Sequence, residues 1–196
     1  MSNAEDRDNK RVETDEQLMA AFTRGSADAF SGLFQRYKAP VFGYFCRRLE
    51  DRSQAEELTQ DTFLAVLRAA HRYEPTALFR TWLYAVALNI LRSHRRKAIF
   101  RAMFSGKTAE HDEPLAVSFV ETELILREAV GKLDPAEREV LLLREFEELS
   151  YAEIALVLHL PINTVRSRLF RARTALHDLL AAPKSAGRQL VRAEEH

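Results

Sequence analysis

Hydrophobic residues recur along most of this chain at the three- and four-residue spacing of amphipathic helices. The spacing predicts eight helices, at residues 15–24, 27–48, 53–72, 78–98, 119–132, 135–146, 150–158 and 163–181. Three of the predicted helix starts have a capping residue followed three positions later by an acid: Ser53 with Glu56, Asp134 with Glu137, and Ser150 with Glu153. No comparable run of alternating polar and apolar residues predicts a strand, so the expected fold class is all-α.

One internal stretch, residues 99–118, loses the helical spacing and gathers Ser, Gly, Pro and mixed charge. These features favour a flexible linker. The linker would separate an N-terminal four-helix domain at 15–98 from a C-terminal four-helix domain at 119–182, with polar tails at 1–14 and 183–196. The sequence therefore predicts two small helical domains.

Composition narrows the class of protein further. With 196 residues, 46% of them hydrophobic, the chain can bury cores and is not disordered throughout. Its one cysteine, Cys46, cannot form an internal disulfide, and no apolar run approaches the roughly 20 residues that span a bilayer. We therefore expect a cytoplasmic protein that does not insert into a membrane.

Charge is neutral overall, with 29 basic and 29 acidic residues, but it is unevenly distributed. Residues 75–109 contain seven bases and no acid, and residues 154–177 contain four arginines and no acid. Two separate basic segments predict two places that hold phosphate groups, as in a nucleic-acid-binding protein. The six histidines are scattered, and neither a glycine-rich phosphate loop nor a nucleophile with a base is recognisable, so we expect no enzyme activity, no cofactor, no metal and no small-molecule substrate.

The sequence SYAEIALVLHLPINTVRSRLFRARTAL, residues 150–176, has the layout of a helix-turn-helix. Its second helix places one apolar stripe toward a core: Val165, Leu169, Ala172 and Leu176. The other face carries a phenylalanine among arginines, which is unusual for a solvated surface. We expect base contacts from Ser167, Phe170 and Arg171, and phosphate contacts from Thr164, Arg166, Arg168 and Arg173.

Two positions of the turn, 159 and 163, are ones that glycine would occupy most easily. His159 would need a left-handed backbone there, and Asn163 can cap the second helix through its side chain.

Three motifs occur in order along the chain: AEELTQDTF, FRTWLYAVALN and SYAEIALVLHLPINTVRSRLFRAR. Through them, residues 15–181 resemble the extracytoplasmic-function class of bacterial sigma factors, the two-domain promoter-recognition subunits of RNA polymerase. The resemblance implies sigma regions 2 and 4, direction of core polymerase to promoters, recognition of minus-thirty-five and minus-ten elements, and DNA melting. The chain departs from the family at Ser93, where an acid is common, and at His159 and Asn163, where glycine is usual.

The resemblance also implies roles for individual residues. The helix at 56–67 would dock on the coiled coil of the largest polymerase subunit through Glu57, Gln60 and Asp61. The loop at 72–80 would capture an unstacked base of the minus-ten element. The implied contacts to minus-ten DNA are Tyr73, Phe79, Arg80, Asn89, Arg92, Arg95, Arg96 and Lys97. The alternative for Asn89 is a hydrogen bond within its domain, and Trp82 is expected in the core, as are Leu58, Phe63, Val66 and Leu67.

Two other functions fit parts of the pattern. One is a stand-alone dimeric regulator that uses only the helix-turn-helix, and the other is an adaptor whose basic faces pair with an acidic protein. Neither function requires a loop and helix suited to single-stranded DNA. The acid-free segment at residues 75–109 therefore argues against both. Family resemblance further implies a cognate anti-sigma factor as a partner, beside core RNA polymerase and promoter DNA.

Overall fold

The computed structural model describes residues 13–74, 78–105 and 121–181. The described residues form α-helices and one short 3-10 helix, Ala70–Arg72, with no strand among them. The α-helices are α1 (Asp15–Thr23), α2 (Ala27–Cys46), α3 (Arg52–Ala69), α4 (Phe79–Ser105), α5 (Glu121–Lys132), α6 (Pro135–Glu145), α7 (Tyr151–Leu158) and α8 (Ile162–Ala181). The all-α fold class is confirmed.

Contacts divide the chain into two compact units, Met1–Pro114 and Leu115–His196. In the first unit, α1, α3 and α4 pack against α2, and α4 also packs against α1 and α3. Its core is made of fully buried side chains from α1, α2, α3 and α4, among them Met19, Leu33, Tyr44, Phe45, Val66, Leu83 and Leu91. Burial of side chains of this size contributes about 1.5–3 kcal/mol each, which is enough to fix the helices against one another.

In the second unit, α8 packs on α5, α6 and α7. Its core is equally apolar and includes Val140, Leu143, Leu149, Ile154, Val165 and Leu169. Helices α7 and α8 form the predicted helix-turn-helix, and α6 supports α8 from the core side.

Most helix ends lie within two residues of the predicted ones, α2 ending at Cys46 rather than at 48, and two ends differ by more. Helix α4 continues to Ser105, so the segment predicted as a linker from residue 99 begins as helix. No glycine or proline occurs between Ile99 and Ser105, and Gly106 is the first residue that disfavours helix. Likewise, the predicted third helix ends at Ala69 and continues as the 3-10 turn. Residues 106–118 of the predicted linker, the tail at 183–196 and most of the tail at 1–14 lie outside the described residues.

Capping explains where three of the helices begin. The Asp134 side chain accepts hydrogen bonds from the backbone of Ala136 and Glu137, and Ser150 forms a reciprocal capping box with Glu153, as predicted. The prediction for Ser53 is wrong, because α3 begins one residue earlier and Asp51 is its cap. The Asp51 carboxylate accepts from the Ser53 backbone at 2.7 Å.

No helix in the described ranges is long and apolar enough to cross a membrane.

Candidate nucleic-acid interface

Helix α8 presents two distinct faces. Val165, Leu169 and Ala172 are buried in the core of the second unit, so the predicted apolar stripe is confirmed for these residues; Leu176 is half-buried. On the other side, Phe170 is 72% exposed. The ring is therefore accessible to a partner on the face opposite the core.

The turn before α8 has the backbone strain that the sequence predicts. His159 has a left-handed conformation with φ 55° and ψ 49°. Its amide donates to the Leu156 carbonyl and that of Leu160 donates to Ala155, which closes α7. A left-handed backbone at a residue with a Cβ costs about 1–2 kcal/mol, so glycine would be more stable here.

The Pro161 carbonyl begins α8, accepting from Thr164 at 2.9 Å and from Val165 at 3.2 Å. Asn163 lies inside the first turn and does not cap it, contrary to the sequence-based expectation. Its side-chain oxygen accepts instead from the Arg166 guanidinium at 3.3 Å. The asparagine therefore orients an arginine of the exposed face.

All residues predicted to contact the minus-thirty-five element are on α8. Arg166, Ser167, Phe170, Arg171 and Arg173 are exposed, whereas Thr164 and Arg168 are half-buried. The Ser167 hydroxyl donates to the Thr164 carbonyl at 3.0 Å and can still accept from a partner. The helix thus brings donors, acceptors and an aromatic ring to one accessible surface of the helix-turn-helix.

Two of these arginines pair with acids of α6. Arg171 Nε lies 2.6 Å from Glu137 Oε1, and Arg173 Nη2 lies 2.7 Å from Glu145 Oε1. The hydrogen bond from Arg173 to Glu145 raises the pKa of that guanidinium. Sequence spacing gave no sign of either pair, because the partners are 34 and 28 residues apart in the chain.

Phe79, predicted to contact minus-ten DNA, is completely buried at the start of α4. Its ring centre lies 5.5 Å from that of Tyr37, 6.1 Å from Tyr73 and 6.0 Å from Trp82. Its backbone amide donates to Glu16 Oε1 at 3.0 Å. These contacts contradict the predicted DNA contact and make Phe79 a core residue that anchors the end of the loop.

Tyr73 and Trp82 together form the aromatic edge beside that loop. Both are half-buried, so Trp82 is less enclosed than predicted, and their ring centres lie 5.2 Å apart. Partial burial, with Glu16 and Asp15 nearby, raises the pKa of Tyr73. Residues 75–77 of the loop lie outside the described part of the chain.

The exposed side of α4 carries most of the remaining predicted minus-ten contacts. Asn89, Arg92 and Arg96 recur at the spacing of one helix face, and all three are exposed. Arg95 and Lys97 are also exposed, and Arg95 Nη2 donates to the Arg48 carbonyl at 3.3 Å. Arg80, near the aromatic edge, is half-buried.

Helix α3 places Glu57, Gln60 and Asp61 on its exposed side. Leu58, Phe63 and Val66 are buried as predicted, but Leu67 is 40% exposed and the prediction that it belongs to the core is wrong. Leu64 was not singled out from the sequence. It is 45% exposed and lies one turn from Gln60 and Asp61, which gives this acidic face an apolar component.

A groove of about 880 Å³ separates this part of α3 from α4. Glu57 and Asp61 line it from α3, while Arg96, Lys97 and Arg101 line it from α4. The groove therefore has two acids and Arg68 on its α3 wall and three basic residues on its α4 wall.

Comparison with known proteins places both units in one family. Residues 33–99 match the model of sigma-70 region 2, and residues 123–176 match that of sigma-70 region 4. The chain is 34% identical to RNA polymerase sigma-H factor of Pseudomonas aeruginosa over 182 residues, which cover 86% of this chain and 94% of the relative. It is 36% identical to ECF RNA polymerase sigma factor SigC of Mycobacterium tuberculosis over 162 residues, covering 81% and 87% of the two chains.

A solved structure of CnrH in complex with the cytosolic domain of CnrY is also similar. The TM-score is 0.65 at 26% identity, covering 86% of this chain and 97% of that one. The chain belongs to the sigma-70 family of RNA polymerase sigma factors, within its extracytoplasmic-function class. It directs RNA polymerase to promoters, and the stand-alone dimeric regulator is not favoured, since region 2 is present as well as the helix-turn-helix.

Proposed function

We propose that this sigma factor reads its promoter with two surfaces, one in each unit. The exposed face of α8 binds the minus-thirty-five element in the major groove. The aromatic edge, Tyr73 with Trp82, and the basic side of α4 hold the melted minus-ten element. The polar face of α3, Glu57, Gln60 and Asp61, binds the coiled coil of the largest polymerase subunit.

The observation that carries the proposal is the exposed Phe170 between arginines on a helix whose opposite side is buried. A major groove admits an α-helix, and its base edges offer acceptors to arginine and a thymine methyl to an aromatic ring. Phosphate contacts from Arg166, Arg168 and Arg173 would fix the register of the helix but read no sequence. Both kinds of contact are available on α8.

Single-stranded DNA requires stacking surfaces together with cations that follow the backbone. Tyr73 and Trp82 supply accessible ring surface, since neither is fully buried. Asn89, Arg92 and Arg96 continue from there along one side of α4. Arg80, Arg95 and Lys97 add positive charge nearby.

The acidic face of α3 complements a basic partner. Leu64 adds a patch that a protein partner can desolvate, whereas DNA would be repelled by Glu57 and Asp61. This sigma factor itself catalyses no reaction in our proposal, because nucleotide addition belongs to the polymerase. It acts in the cytoplasm with that enzyme.

A regulatory protein partner is also proposed, namely an anti-sigma factor that competes with polymerase. It is supported by the similarity to CnrH, which was solved in complex with a cytosolic domain of another protein. Affinity capture of the chain from its own cells at native abundance tests this. A recurrent stoichiometric partner besides polymerase subunits supports it, and recovery of polymerase subunits alone contradicts it.

The promoter proposal is tested by transcription in vitro with core polymerase and a promoter whose start has been mapped. Phe170→Ala should lose the preference for the minus-thirty-five sequence, and Arg92→Ala with Arg96→Ala should lower open-complex formation while leaving that preference unchanged. Arg24→Ala and Lys132→Ala remove exposed cations elsewhere and serve as controls. Unchanged sequence preference in Phe170→Ala would contradict the assigned role of α8.

A further inference from the structure

Glu137 of α6 pairs with Arg171, the predicted base-reading arginine. It lies in the first turn of α6, two residues after Pro135. Asp134 fixes that turn, since its carboxylate accepts from the backbone amides of Ala136 and Glu137 at 2.9 and 3.3 Å. Buried Val140 and Leu143, further along α6, hold the helix in the core.

The pair is asymmetric in exposure. The Glu137 side chain is 16% exposed and that of Arg171 is 56% exposed, so the acid lies toward the domain and the guanidinium toward solvent. Within the described part of the chain, the structure gives Arg171 a hydrogen bond through Nε alone. Nη1 and Nη2 are left to donate to another group, and two parallel donors match the acceptors on a guanine edge.

We propose that Glu137 is a positioning residue for promoter recognition: it holds Arg171 by Nε so that the terminal nitrogens are ordered before DNA binds. The proposal rests on the proposed role of α8 in reading the minus-thirty-five element. An arginine side chain has many rotamers, and binding must otherwise freeze them. A guanidinium held by a rigid neighbour loses less freedom when it pairs with a base.

The second pair on the same helices provides a matched control. Arg173 and Glu145 are 2.7 Å apart, but their side chains are 51% and 45% exposed, so the acid is not set into the domain. Arg173 is assigned to phosphate, and phosphate contacts carry no sequence information directly. Changes at Glu145 are therefore not expected to alter base preference.

Two conservative substitutions separate positioning from charge. Glu137→Gln keeps the length and the acceptor oxygen but removes the negative charge. Glu137→Asp keeps the charge but withdraws the oxygen by one methylene. Positioning predicts that the glutamine variant retains base preference and that the aspartate variant loses it, whereas a purely electrostatic effect on DNA affinity predicts a change in the glutamine variant alone.

The test uses full-length protein with core polymerase and the mapped promoter, whose upstream element is randomised. Transcripts carrying a barcode report how strongly each base is preferred. Arg171→Ala first identifies the position that Arg171 reads, where we expect a loss of preference of about 5- to 150-fold, the range for a bidentate base contact. Glu137→Asp should then relax that same position by about 2- to 12-fold, the factor for ordering one rotamer-rich side chain, and leave the other positions unchanged. Glu137→Gln and Glu145→Asp should match the unaltered protein.

Each outcome decides something. If Arg171→Ala relaxes one position and Glu137→Asp does not, the positioning role of Glu137 is wrong while the proposed role of α8 stands. Equal relaxation at all positions in Glu137→Asp, with a lower unfolding midpoint, would indicate a structural role and also overturn the proposal. If Arg171→Ala relaxes no position, both the proposal and the base-reading role of Arg171 fail.

Discussion

Replacement of Phe79 by alanine should lower the denaturant concentration at which the first unit unfolds, because the Phe79 ring belongs to the core. The side chain is fully buried and lies within 6.1 Å of three aromatic rings, measured between ring centres. Truncation of a buried phenylalanine costs about 3–5 kcal/mol. Aromatic pairs at these separations contribute about 0.5–1.5 kcal/mol beyond the area they bury, which favours the upper part of that range.

The chain offers a built-in probe for this measurement. Trp82 is the single tryptophan of the sequence and belongs to the same aromatic cluster. Its fluorescence during urea unfolding reports the first unit without contribution from the second. The midpoint and the slope of the transition give the free energy of unfolding.

Phe170→Ala is the matched control, since it removes the same ring from an exposed position in the other unit. It should leave the Trp82 transition unchanged. An unfolding free energy of Phe79→Ala within about 0.5 kcal/mol of the unaltered protein, the range for surface substitutions, would refute the assignment of Phe79 to the core.

Three further predictions concern stability. His159→Gly should stabilise the second unit by about 1 kcal/mol in thermal unfolding followed by circular dichroism, because it relieves the left-handed backbone; a destabilised variant would contradict this. Ser150→Ala should destabilise the same unit by about 1 kcal/mol by removing the cap of α7, whereas an unchanged midpoint would show that the capping box contributes nothing. Burial and the hydrogen bond to Asp15 raise the pKa of Tyr37 well above its ordinary value of 10.0, so stability of the first unit should fall as pH rises above about 10. Tyr37→Phe should flatten that fall, and an equally steep fall in the variant would assign it to other groups.

The sign of the pH effect follows from proton binding. Because the folded state holds the Tyr37 proton more tightly than the unfolded chain does, the contribution is complete below pH 10 and is lost at higher pH. The Asp15 carboxylate accepts from the Tyr37 hydroxyl and from Arg36 Nη1, so it links α1 to α2.

Periodicity and capping chemistry predicted the helices well, since they depend on neighbours three or four residues away. Asp134 with Pro135 and Ser150 with Glu153 each marked a helix start within a residue. The cap of α3 was predicted at Ser53 and is Asp51, because both residue types are good caps and the sequence alone does not decide between two candidates two residues apart. The end of α4 was predicted at residue 98, because the apolar spacing changes there. The helix continues to Ser105, and no glycine or proline occurs in this stretch before Gly106.

Burial of individual aromatic residues was harder to predict. Phe79 follows a loop and looks like a loop residue, yet three rings from different parts of the chain enclose it. Conversely, Leu67 has helical spacing from Phe63 but falls on the edge of the core face. The contact from Glu137 to Arg171 joins helices far apart in sequence, and local periodicity carries no information about it.

The most direct test of the account mixes the purified chain with bacterial core RNA polymerase that lacks any sigma subunit, on genomic DNA. Transcript starts are then mapped across the genome. Discrete starts that share two upstream motifs at a fixed spacing are the predicted result. Absence of specific starts, with duplex DNA bound equally well in the presence and absence of polymerase, would contradict promoter recognition by the two surfaces described.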